Sequence, residues 1–121
     1  MTSTAPVDVV ACLRAYAVGD PVDRELERAA VKSVIAELTS AAPGSSVELR
    51  VPPYAAAQLV GGTRHRRGTP PAVVQMSPPT LLRLAVGALG WEPAVADGSV
   101  RASGERSDLS GLLPIYPPVD A

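Results

Sequence analysis

Residues Val73–Gly104, VVQMSPPTLLRLAVGALGWEPAVADGSVRASG, decide the fold, because nearly every boundary in them is marked by a residue suited to it. Ser77 is a fitting helix N-cap, and Pro78 takes the first helical position, where a missing N–H costs nothing. Leu81, Leu84, Ala85 and Ala88 then recur at i, i+3, i+4 and i+7, which makes one apolar face. Gly87 and Gly90 can each end that helix in a left-handed conformation. Trp91–Asp97 has room for one or two further turns, and Gly98 stands where a C-cap glycine belongs. In Ser99–Ser103, Val100 and Ala102 face one way and Arg101 and Ser103 the other, the pattern of a half-buried strand. The stretch predicts strand, helix, short helix, strand.

Working outward, the N-terminal third predicts two helices. Thr4 is a candidate cap for the first, with Pro6 and Asp8 near its start, Val9, Leu13, Tyr16 and Ala17 on one side, and Gly19 at its end. The second begins at Asp20 or Asp23 and packs through Val31, Val34, Ile35 and Leu38, with Glu25, Arg28 and Lys32 on its polar side. Pro43 and Gly44 mark a turn, after which Val47, Leu49 and Val51 alternate with Glu48 and Arg50 as a strand with one wet face. Pro52 and Pro53 put the end of that strand at a sheet edge or a bend. Tyr54–Val60 reads either way, helix by its alanines or strand by its flanking glycines. Gly61–Gly68 is a loop, Ala72–Met76 a strand, and Ser107 or Asp108 a cap for a short helix running to Leu113. The class expected is α+β: a small antiparallel or mixed sheet with helices on one face and two N-terminal helices.

The totals narrow what such a fold does. A chain of 121 residues suits one domain over 1–121, with 1–4 and 115–121 as loose tails. Phe is absent and there are one Trp and three Tyr, so the core is aliphatic. A net charge of −1, without aromatics interleaved among basic residues, argues against nucleic acid. Cys12 is alone, which excludes an internal disulfide and a cysteine metal cluster and suits a cytoplasmic protein. We expect no signal peptide and no stable membrane insertion.

Several phrases then resemble a known family. VELRVPPYAA (Val47–Ala56), RHRRGTPPAVV (Arg64–Val74), the Met76–Gly104 run and GSVRASGERSDLSGLLP (Gly98–Pro114) are similar to small actinobacterial members of the sterol carrier family, bacterial orthologues of the sterol-carrier-protein-type domain. The resemblance covers about Ser46–Pro114 and implies a sterol-carrier-like fold. In that family, a helix at the C-terminal end lies over a tunnel for acyl chains or sterol-like molecules. The implied activity is non-catalytic binding, and possible transfer, of a lipid-like small molecule held by burial alone.

The candidate lining of such a cavity is Leu81, Leu84, Ala85 and Leu89, then Trp91, Leu109, Leu112 and Leu113. The same residues also suit plain core packing, and Trp91 is more often an anchor than a ligand contact. Arg64, His65, Arg66 and Arg67, bordered by glycines, could hold an anionic head group, or could be a solvated loop. Enzyme signatures are missing: His65 is the sole histidine, there is no Gly-x-Ser-x-Gly elbow or HExxH pair, and no metal or cofactor is expected. Cys12 falls in an apolar helix pattern, as an inert core thiol does. The rival expectation is an interaction module, a homodimer or an enzyme's docking partner, using the edge at Val51–Pro53 and the PIYPPVDA tail.

Overall fold

A computed structural model of the protein describes residues 4–61, 72–104 and 107–119. In chain order these form α1 (Val7–Val18), α2 (Arg24–Ala41), β1 (Val47–Val51), β2 (Ala55–Leu59), β3 (Ala72–Met76), α3 (Pro78–Ala85), α4 (Trp91–Ala96) and β4 (Val100–Ser103). A 3-10 turn comes after them at Ser110–Leu112. The class is α+β, as the sequence predicts. The sheet is mixed, in the order β2-β1-β3-β4. β1 runs antiparallel to β2 and parallel to β3, and β3 runs antiparallel to β4.

Period-two alternation divides the sheet into a dry face and a wet one. Val47, Leu49, Val51, Leu59, Val74, Met76 and Val100 are buried. Between them Glu48, Arg50, Gln58, Gln75 and Arg101 lie half or fully exposed, and Glu48 pairs with Arg50 at 3.1 Å. Helices α1, α2 and α3 add Val9, Cys12, Leu13, Val31, Val34, Leu38, Leu81, Leu82 and Leu84 to the same buried cluster. Asp23 caps α2 by accepting the Leu26 N–H at 3.1 Å, with Glu25 and Glu27 in the first turn, where the helix dipole favours negative charge. Ser77 caps α3 on the Thr80 N–H, with Pro78 at N1 as expected.

Local expectations are corrected at several points. The N-cap of α1 is Pro6, which makes no side-chain cap bond, and Thr4 is exposed. Ala17 is exposed as well; Cys12 holds the place in the core. Gly19 ends α1 at φ 73°, a conformation that costs glycine no Cβ clash. Gly44 is required for a further reason, since a Cβ there would collide with the Val60–Gly61 backbone.

Within Tyr54–Val60, Ala55–Leu59 resolves as strand. Five residues are too few to sustain a helix alone, while every position of β2 finds a partner on β1, from Val47 opposite Leu59 to Val51 opposite Ala55. Pro52 and Pro53 therefore mark a bend and not an edge, because β1 is flanked on both sides. α3 stops at Ala85, before the apolar repeat ends. Gly87 turns left-handed at φ 75°, the Ala88 and Leu89 N–H groups both fall back on the Arg83 carbonyl, and Ala88 is exposed. Gly90 caps the start of α4 in an extended conformation and does not end α3. On the edge strand β4, Val100 is buried but Ala102 is not.

The expected C-terminal helix shrinks to the 3-10 turn, with Asp108 bonding the Ser110 N–H at 2.9 Å. Residues 115–119, expected as a loose tail, are tied to the body of the domain. The Ile115 and Tyr116 N–H groups both donate to the Ala85 carbonyl, at 2.9 and 3.0 Å, and Val119 packs against the core. These two bonds satisfy a carbonyl that the end of α3 leaves free.

Candidate functional site

The residues expected to line a cavity do come together. Leu81, Leu84, Ala85 and Leu109 are buried in the main cluster, at 0–1% exposure. Leu89, Trp91, Leu112 and Leu113 are half-buried and pack against it. Two layers result: an inner set fixed by α3, and an outer set carried by the turn after α3, the start of α4 and the C-terminal segment. The inner set is closed on all sides by other side chains. The C-terminal part of the outer set is held by a 3-10 turn and the two backbone bonds to Ala85. Arg64, His65, Arg66 and Arg67 lie outside the described residues.

Polar side chains mark two ends of this apolar layer. At the first, Tyr16 in the last turn of α1 and Tyr54 in the β1–β2 bend both donate to the carboxylate of Glu27, Tyr54 at 2.7 Å. The Arg83 guanidinium stands 5.4 Å from the centre of the Tyr16 ring, within cation–π range. Burial first, and then the bond to Glu27, push the Tyr16 hydroxyl far above the ordinary tyrosine range. The bond to Glu27 is the main reason that Tyr54 is raised too. Both phenols therefore remain protonated donors. The cluster ties α1, α2 and the β1–β2 bend together and leaves no reactive phenolate.

At the second end stands Tyr116. It is 3% exposed, and its hydroxyl has no hydrogen-bond partner among the described residues. Burial raises its pKa, and the charges of Glu37, near the end of α2, and Asp8, at the start of α1, raise it further. A buried hydroxyl left unpaired costs about 1–3 kcal/mol, so native structures rarely keep one without a reason. Cys12, inside α1, is pushed up to about 11 by burial, then by Glu27 and Asp8, and is an inert thiol at neutral pH.

A separate cleft of about 250 Å³ opens on the wet side of the sheet, lined by Pro52, Gln75, Ser77, Ser99 and Arg101 among others. None of the expected lining residues borders it. Polar and apolar groups share its walls, and its volume is small beside the ~300–1,000 Å³ of a typical ligand pocket, so it does not suit a long apolar chain. Among the described residues no group of three or more His, Cys, Asp and Glu could hold a metal ion. No helix there is long and apolar enough to cross a membrane.

Neither tyrosine end is visible as a site in the sequence. Tyr16 shows there only as part of a helix face, and its acceptor Glu27 and the second donor Tyr54 lie 11 and 38 positions further along the chain, beyond any local pattern. Tyr116 sits among prolines that read as tail. A tyrosine in a segment otherwise made of Pro, Ile and Val is the one signal on offer.

Fold and site together define an α+β domain with an apolar layer between a mixed sheet and its helices. The chain belongs to the family described as "bacterial SCP ortholog", the bacterial relatives of sterol carrier protein, whose model matches residues 23–115. A search of curated proteins finds no match. Helix α1 and Tyr116 fall outside the matched residues.

Proposed function

We propose that this protein binds a lipid-like apolar or amphipathic molecule, without transforming it, in the layer between the sheet and the helices. Family membership supplies the ligand class. The observation that carries the reading is the unequal closure of that layer. Leu81, Leu84 and Ala85 are fixed in the core, whereas Leu112, Leu113 and Ile115 pack against the same cluster as half-buried side chains on a segment anchored by the backbone bonds to Ala85. Swinging the side chains of Leu112, Leu113 and Ile115 aside, with the backbone bonds to Ala85 kept, exposes aliphatic surface, and an acyl chain laid there regains the burial those side chains give up, at about 25 cal/mol per Å². No proton donor, nucleophile or metal is needed, which agrees with the raised thiol of Cys12 and the protonated tyrosines.

The test is displacement of a fluorescent polyene fatty acid, paired with native mass spectrometry of the protein from its own host. Saturable one-to-one binding that is abolished by Leu112→Asp with Leu113→Asp supports the reading. Absence of any bound or bindable chain overturns it. A dimer that buries Leu112 and Leu113 would then favour the docking module in its place.

A further inference from the structure

We propose that the Tyr116 hydroxyl is the polar contact for the ligand's head group, and that the group it selects is neutral, a hydroxyl or an amide, and not a carboxylate. The inference rests on the lipid-binding reading and names its ligand more narrowly.

Three observations carry it. First, the hydroxyl is the one buried side-chain polar atom among the described residues that lacks a partner, at 3% exposure. A phenol needs a donor or an acceptor within about 3 Å, and water has no ready access at that depth. Second, its backbone sits where the outer covering is anchored: the Tyr116 N–H is bonded to the Ala85 carbonyl at the end of α3, beside Leu113 and Ile115. A chain that replaces those aliphatic side chains brings its terminal group to that spot. Third, the charges that act on the hydroxyl are both negative, from Glu37 and Asp8. An ionised carboxylate placed there meets two like charges in a low-dielectric setting, whereas a neutral hydroxyl accepts from Tyr116 without that penalty. The orphaned donor is thus satisfied in the loaded protein and unsatisfied in the empty one.

The experiment compares hexadecanol with hexadecanoic acid, titrated into the full chain at neutral pH and followed by the fluorescence of Trp91 or by calorimetry. The wild type is expected to favour the alcohol. Tyr116→Phe is expected to weaken the alcohol roughly three- to tenfold, the worth of one hydrogen bond, and to leave the acid nearly unchanged. A second variant, Asp8→Asn with Glu37→Gln, keeps Tyr116 and lifts the negative field, so the acid should gain on the alcohol. Equal weakening of both ligands by Tyr116→Phe, or a wild-type preference for the acid, overturns the assignment while lipid binding itself stands. The second of these outcomes turns attention to the arginines at 64, 66 and 67. Failure of both lipids to bind overturns the assignment together with the reading beneath it.

Discussion

Tyr16 and Tyr54 share one carboxylate at the junction of α1, α2 and the β1–β2 bend; Tyr116, among the other ends of the same two helices, has no partner for its hydroxyl among the described residues. The same side chain is used in opposite ways. At the first end, three polar groups and the Arg83 cation hold elements together that are distant in sequence. At the second, closure depends on burial and two backbone bonds to Ala85, and one donor is sacrificed. Hydrogen bonds fix geometry, while burial is indifferent to what does the burying. An aliphatic covering over an aliphatic layer can therefore be exchanged for a ligand of similar shape, and a bonded junction cannot. The difference makes the first end a bonded junction and the second a covering held by burial and two backbone bonds.

The largest effect should come from a residue that belongs to neither end. Leu84 is 1% exposed in the shared cluster, so Leu84→Ala is expected to cost ~2–5 kcal/mol in urea unfolding. A loss much below that range means the layer beneath α3 is already loosely filled, and the contrast between its two ends weakens. Next comes Glu27→Ala, which strips both tyrosines of their common acceptor. Bonds to a charged group contribute about 1.5–3 kcal/mol, less where water can substitute, so a loss near the lower figure is expected. Hydrogen exchange should show faster opening in the last turn of α1 and at Tyr54, with the Ile115 and Tyr116 amides unaffected. Equal loosening at both ends would mean that they are not independent.

The range of the forces involved decides how much of this is legible in the sequence. Ser77 and Pro78, the alternation in Val47–Val51 and the stripe Val31, Val34, Ile35, Leu38 are local statements, and each resolves as read. Tyr54–Val60 stays undecided in the sequence because alanine favours helix locally, while the deciding hydrogen bonds come from β1. The end of α3 is legible only in part: Gly87, one of the two glycines offered as its stop, is left-handed, whereas Ala88, the last member of the apolar repeat, falls exposed in the turn beyond it. The eight lining candidates are recognisable by their apolarity, though not their division into a fixed inner set and a covering outer set. That division depends on the bonds of Ile115 and Tyr116 to Ala85, 30 and 31 positions away.

A sharper version of the comparison uses one substitution at two places. Tyr16→Phe removes a hydroxyl that is bonded to Glu27, and stability should fall by about 1 kcal/mol. Tyr116→Phe removes a hydroxyl with nothing to lose, and stability should rise by a similar amount, about 1 kcal/mol, because the buried group no longer has to shed its water. Thermal melts of the two variants should thus move in opposite directions. A fall in both would mean that Tyr116 finds a partner in solution and that the second end is bonded after all.

The smallest effect expected is the most discriminating, because Cys12 lies in α1 between the two ends and feels a charge from each. Its thiol is raised from 9.0 to about 11, first by burial, then by Glu27, then by Asp8. A folded-state pKa above the unfolded one means that the neutral thiol is favoured by folding. Its contribution to stability is complete below pH 9.0 and is lost as pH rises through about 11. Removing either carboxylate should lower the thiol pKa, read from the ultraviolet absorbance of the thiolate, and narrow that alkaline window. Glu27→Gln should act more strongly than Asp8→Asn, since Glu27 is the larger of the two charge effects. The reverse order would mean that Asp8, at the unbonded end, acts on the Cys12 thiol more closely than Glu27 at the bonded end does.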